Sequence, residues 1–110
     1  MHIYIDDSKI SLDNDGYLLN LADWNEKVAI ALAEQESITL TADHWEIIGL
    51  LQEFYREFEL SPAMRPLVKY IEKKLGSEKG RSIYLLQLFP PSPAKIASKI
   101  AGLPRPTNCL

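Results

Sequence analysis

Cys109 is the one side chain in this chain that can act as a soft nucleophile: it is the only cysteine among 110 residues and the second residue from the carboxyl end. A buried cysteine behaves as a small hydrophobe. A reactive one needs an accessible, ionisable sulfur, which a terminal arm can present to another protein. The position favours chemistry over packing. With one cysteine no intrachain disulfide can form, so the expected resting state is a free thiol in a reducing compartment. The free carboxylate of Leu110 is a like charge beside any thiolate and opposes its formation, so a cation must offset it. Arg105 on the same arm, and Lys99, Arg65 or Lys69 on the body, are the candidates for tuning the thiol or docking a partner.

Other chemistries find little support. His2 and His44 have no cysteine or second histidine at a zinc-binding spacing, so no metal site is expected. No cofactor is implied either. Glu34, Glu36, Glu53, Glu57 and Glu59 read as solvated helix faces rather than an acid and base pair. There is no glycine-rich phosphate loop and no Gly-x-Ser-x-Gly motif, which leaves nucleotide hydrolysis and serine-hydrolase chemistry without a basis. Most of the aromatic residues, from Trp24 and Trp45 to Tyr70 and Tyr84, follow a helical period and read as core rather than a base-stacking surface. Arg65, Lys69 and Lys73 recur at i, i+4 and i+8 and form a basic stripe. Because the preceding helix ends at Phe58, a helix-turn-helix DNA-binding reading stays open as an alternative.

The elements that must carry these groups can be placed from the pattern of residues. Ile3-Tyr4-Ile5 and Ile10-Ser11-Leu12 flank a turn at Asp6-Asp7-Ser8-Lys9, and Asn14-Asp15-Gly16 marks a second turn before Tyr17, which predicts a small β-hairpin or meander. Asp23 is the expected N-cap of a helix over Trp24 to Gln35. Thr41 starts the next, in which Trp45, Ile48, Leu51, Phe54, Tyr55 and Phe58 make the expected central core helix. Ser61-Pro62 gives the start of a third that Gly76 stops, with a distorted first turn expected at Pro66. Shorter helices are expected over Arg81 to Leu88 and from Ser92-Pro93 through Ala101, with Gly102 as the cap. The fold class is mainly α (α+β): an orthogonal bundle of about five helices, a small N-terminal β-hairpin and a flexible C-terminal arm. Residues 1–101 form the single domain and 102–110 the arm, with Gly102 as hinge and Pro104 and Pro106 stiffening it.

Composition bounds the class. At 46% hydrophobic and 25% charged the chain is an ordinary globular protein, and its acidic amino end and lack of a long apolar run point to a cytoplasmic protein. The net charge of −3 conceals a split. Residues 1–60 hold 13 acidic and 3 basic side chains, whereas residues 61–110 hold 2 and 9. The halves either face each other in the fold or offer the basic one to an anionic partner.

The ending from Lys99 to Leu110 resembles the carboxyl arm of the TusE/DsrC family of sulfur-carrier proteins. So do Asp15-Gly16-Tyr17-Leu18, Leu40 to Glu46, Phe54-Tyr55, Ser61-Pro62-Ala63 with Arg65 and Leu67-Val68-Lys69, and Leu86 to Pro90. The resemblance implies that Cys109 bears a persulfide and that the fold is a helical bundle with a hairpin and a mobile arm. DsrC-type members carry a second arm cysteine eleven residues before the last; here that position is Ser98, which matches the single-thiol TusE type. The implied relay takes sulfur from a TusD-like subunit of a TusBCD-type complex. It delivers that sulfur to the tRNA thiolase MnmA for the 2-thio group of the wobble uridine. A DsrC-like partner of dissimilatory sulfite reductase is the alternative within the family.

Overall fold

The computed structural model describes residues 1–107, so Cys109 lies outside the described residues. The chain is mainly helical. Strands β1 (His2–Ile5) and β2 (Ser8–Ser11) are followed by helices α1 (Glu26–Gln35), α2 (Ala42–Phe58), α3 (Met64–Leu75), α4 (Ser82–Leu88) and α5 (Pro93–Ile100).

The two strands pair antiparallel with Ile3 opposite Ile10 and Tyr4 opposite Lys9. Their loop is shorter than the four residues expected. Asp6 and Asp7 alone turn the chain, at φ 49° and 69°, the left-handed pair that a two-residue hairpin requires and that aspartate tolerates. The chain then returns beside β2 through a single bridge between Leu12 and Leu18. Buried Ile10 faces inward, and Asp6 pairs with Lys27 of α1.

Two helix starts differ from the expectation. A 3-10 turn at Leu21–Asp23 precedes α1, and Asn25 is its N-cap, accepting the Val28 N–H at 2.9 Å. Trp24 therefore sits outside the helix. Helix α3 begins at Met64 rather than at Ser61-Pro62. Pro66 then falls in the first turn, where backbone N–H groups have no intrahelical partner, and the reason for a distorted turn disappears. Phe58, expected in the core, is 48% exposed.

The centre of the fold is also not where the apolar period put it. Helix α5, only eight residues long, packs against α1, α2, α3 and α4. Pro93, Ala94, Ile96, Ala97, Ser98 and Ile100 on it are all buried. A helix packed by four others with six of its eight residues buried is a core element, and its alanines permit close approach of the neighbours. Helix α2 is one wall around it, pinned at its start by His44. That ring accepts the Thr41 N–H on Nδ1 at 3.0 Å, which leaves Nε2 protonated to donate to the Leu88 carbonyl at 2.8 Å. Both ring nitrogens are thus used structurally.

Candidate functional site

The arm grows directly out of this enclosed helix. Gly102, at φ +76°, closes α5 with a Schellman motif in which its own N–H reaches the Lys99 carbonyl at 3.1 Å and the Leu103 N–H reaches the Ser98 carbonyl at 2.9 Å. Glycine is required here twice over. Its φ is one that other residues adopt at a cost, and a Cβ would lie 2.3 Å from Cδ1 of Trp24. Gly102 is thus the helix cap that the sequence indicated, and it is packed into a corner rather than free to act as a hinge.

Long-range side chains hold the segment on either side of that corner. The Trp24 indole donates to the Ile100 carbonyl at 2.8 Å, and the Gln52 amide to the Ala101 carbonyl at 3.1 Å. Leu103 is buried, the Ser61 hydroxyl donates to the Pro104 carbonyl, and Pro106 is buried in turn. Between the two prolines Arg105 pairs with Asp15 and places its guanidinium 5.3 Å from the centre of the Tyr17 ring. Sequence leaves the resting position of the arm open; through Pro106 it lies against the body.

Tyr17 organises that contact. The loop beneath it is an Asx turn in which the Asp13 carboxylate accepts the N–H of Asp15 at 2.8 Å and of Tyr17 at 3.0 Å. The Tyr17 hydroxyl donates to the Lys95 carbonyl of α5 at 3.0 Å. Lys99 approaches the same ring at 5.4 Å while its ammonium lies 3.7 Å from Glu36. Tyr17 is thus flanked by two cations, each neutralised by a carboxylate. A cleft of about 380 Å³ opens here, bounded by Asp15, Glu36, Lys95, Lys99 and Arg105.

The four cations singled out from sequence fall into two pairs. Lys99 and Arg105 meet at Tyr17, while Arg65 and Lys69 line another hollow of about 620 Å³ with Met64, Val68 and Ser82. Among the described residues neither Arg65 nor Lys69 has a carboxylate at ion-pair distance. Ser98 is wholly enclosed on α5, and its hydroxyl has no hydrogen-bond partner among the described residues. No three potential metal-ligating side chains cluster, and no helix is long and apolar enough to cross a membrane, again among the described residues.

The family model described as DsrC-like protein matches residues 4–110. The chain belongs to the DsrC-like family. Among the relatives of this DsrC-like protein is the sulfurtransferase TusE of Photorhabdus laumondii, 57% identical over 102 residues that cover 93% of this chain and 92% of that one. The TusE homolog of Haemophilus influenzae is 53% identical, covering 93% and 94%. The solution structure of Allochromatium vinosum DsrC superposes with a TM-score of 0.89 at 48% identity over the whole of both chains. The oxidised γ-subunit of dissimilatory sulfite reductase from Archaeoglobus fulgidus gives 0.86 at 37%, again over both whole chains.

The side chains that dock the arm of this DsrC-like protein carry no local sequence signal of that role. Trp24 reads as an ordinary helix residue and Ser61 as a helix start, and nothing in the sequence singles out Gln52. For Tyr17 the available signal is the family resemblance of the Asp15-Gly16-Tyr17-Leu18 motif.

Proposed function

We propose that this protein carries sulfane sulfur on Cys109 between a donor protein and an acceptor enzyme. A sulfurtransferase role belongs to it as a family member more than half identical to TusE sulfurtransferases along nearly its whole length. The finer reading is a relay in which a TusBCD-type complex, through a TusD-like subunit, supplies the sulfur. The MnmA-type thiolase, with its tRNA, consumes it for 2-thiouridine at the wobble position, in the cytoplasm. The observation that carries this reading is a family match that runs through the arm of a chain holding one thiol.

The chemistry requires little. The Cys109 thiolate attacks the outer sulfur of a donor persulfide, a new S–S bond forms as the donor's S–S bond breaks, and the donor departs as a thiolate. No external oxidant or reductant is needed. The second step repeats the exchange in the opposite sense, with the outer sulfur passing onward. Release of the cargo as sulfide within the chain would need a second thiol; Ser98, on α5, stands where the resemblance places that thiol in DsrC-type chains, and an enclosed hydroxyl cannot attack. That favours the carrier over the sulfite-reductase reading.

Docking of the arm through Pro106 leaves two residues, Thr107 and Asn108, between it and Cys109, a reach of about 11 Å at most. While the arm stays docked, a partner reaches the thiol only by approaching the Tyr17 face closely. Incubation with a low-molecular-weight persulfide followed by intact-mass measurement tests the proposal. One added sulfur on wild type and none on Cys109→Ser is the expected result; an unmodified wild type overturns it. Cells holding only Cys109→Ser should lack 2-thiouridine in the relevant tRNAs, and retention of it would refute the relay.

A further inference from the structure

Three clefts on this molecule adjoin in series, each sharing lining residues with the next, and together make a trough along one face. The hollow over Arg65, Val68 and Lys69 shares Met64 and Ser82 with a second cleft of about 260 Å³ that runs past Leu86 to Lys95. That cleft shares Pro91, Ser92 and Lys95 with the cleft at Tyr17, where the trough ends against Arg105 of the arm.

Its floor and rim differ in kind. The floor is aliphatic, made by Met64, Val68, Leu86, Pro93 and Ala94, and Leu86 is 40% exposed. The rim is basic: Arg65, Lys69 and Lys95 stand along it, none with a carboxylate at ion-pair distance among the described residues. The acidic residues lining the trough are Asp15 and Glu36, both at the arm end and both engaged by Arg105 and Lys99. Uncompensated positive charge over exposed apolar surface is complementary to a segment bearing carboxylates on one side and aliphatic side chains on the other. A nucleic acid strand would instead be met by exposed aromatic faces, and the aromatic side chain of the trough, Tyr17, is buried beneath its cations.

We propose that this trough seats an acidic amphipathic segment of the protein that exchanges sulfur with Cys109, an inference that rests on the carrier role proposed above. The trough ends at Arg105, four residues before Cys109, so an occupant lying along it brings its own body to the end of the chain where the thiol is. The unpaired rim speeds encounter, and the aliphatic floor slows release.

The test compares two routes of loading Cys109 in full-length protein: a low-molecular-weight persulfide, and the persulfide-charged TusBCD-type complex. Onward transfer to the MnmA-type thiolase with tRNA is measured alongside. Lys69→Glu with Lys95→Glu, and separately Leu86→Glu, should lower the ratio of protein-mediated to small-molecule rates about tenfold in at least one of the two steps. Added salt should depress the same ratio for wild type. Lys69 and Leu86 are exposed and Lys95 half-buried, and unchanged helical circular dichroism guards against misfolding. Ratios equal to wild type in both steps overturn the trough alone. Two other results do the same if the ratios are kept: substitutions that abolish binding of free tRNA, or that dissolve a wild-type dimer in sedimentation. Failure of the small persulfide to load wild type sinks the carrier reading itself, and the trough with it.

Discussion

The two ends of the chain are ordered by opposite means. The amino end folds on its own ladder: β1 and β2 pair residue for residue, the turn needs only two aspartates, and the partners are at most nine positions apart. The carboxyl arm has no ladder. Its root, its Pro104 carbonyl and its arginine are held by Trp24, Gln52, Ser61 and Asp15, which lie 43 to 90 positions away along the chain. A self-sufficient hairpin can be altered locally with local consequences. Beyond its helix-cap bonds, an arm held by distant side chains reports on the packing of the whole bundle, and each of those contacts can be removed separately.

Substitutions at the arm should therefore cost more than substitutions at the hairpin. The largest expected effect is Gly102→Ala. A methyl group 2.3 Å from the Trp24 ring, added to an L-residue at positive φ, should destabilise by about 3 kcal/mol or more. Thermal denaturation and faster hydrogen exchange at the Leu103 amide would record it. A variant as stable as wild type would mean that the corner at Gly102 is not closed. Trp24→Phe keeps most of the ring but removes the donor to the enclosed Ile100 carbonyl, and about 1–3 kcal/mol should be lost. Urea titration would measure that loss. Ser61→Ala withdraws the hydroxyl from Pro104 and should cost about 1 kcal/mol. Its signature would be a small shift in denaturation midpoint accompanied by a change in the Pro104 and Arg105 resonances.

The ion pair should matter least to stability. The Arg105 and Asp15 side chains are 49% and 60% exposed, so Asp15→Asn should cost under about 1 kcal/mol and less in high salt. At the other end of the molecule, Asp7→Gly relieves a left-handed aspartate and should stabilise by up to about 1 kcal/mol. Exchange at Leu103 and the rate of sulfur loading should not respond to it. A hairpin substitution that altered either would break the contrast between the two ends.

The same contrast explains what could be read from the residues alone. The hairpin, the span of α2, and helices α4 and α5 follow from periods, caps and turn residues that act within a few positions of themselves. Both displaced helix starts involve residues near long-range partners. The hydroxyl of Ser61, a good N-cap by type, is committed to Pro104, and the indole of Trp24 is drawn toward Ile100 rather than into a helix. The centrality of α5 was hidden for a related reason: eight residues rich in alanine carry a weak apolar signal, and only the arrangement of four other helices encloses them. The thiol was legible from position and composition, and the family from the motifs around it. The division of the four cations into a neutralised pair at Tyr17 and an unpaired one on α3 depends on where Asp15 and Glu36 come to lie, which no spacing encodes.

The contact between Trp24 and Gly102 has an optical consequence. An indole whose N–H is bonded to a backbone carbonyl and whose ring edge abuts the root of the arm has an emission wavelength set by that shelter. Withdrawal of residues 102–106 would admit water to it and shift the emission to the red. With Trp45 replaced by Phe to remove the second emitter, the protein becomes its own fluorescent gauge of arm position, readable in stopped flow as a partner takes hold, with no dye attached.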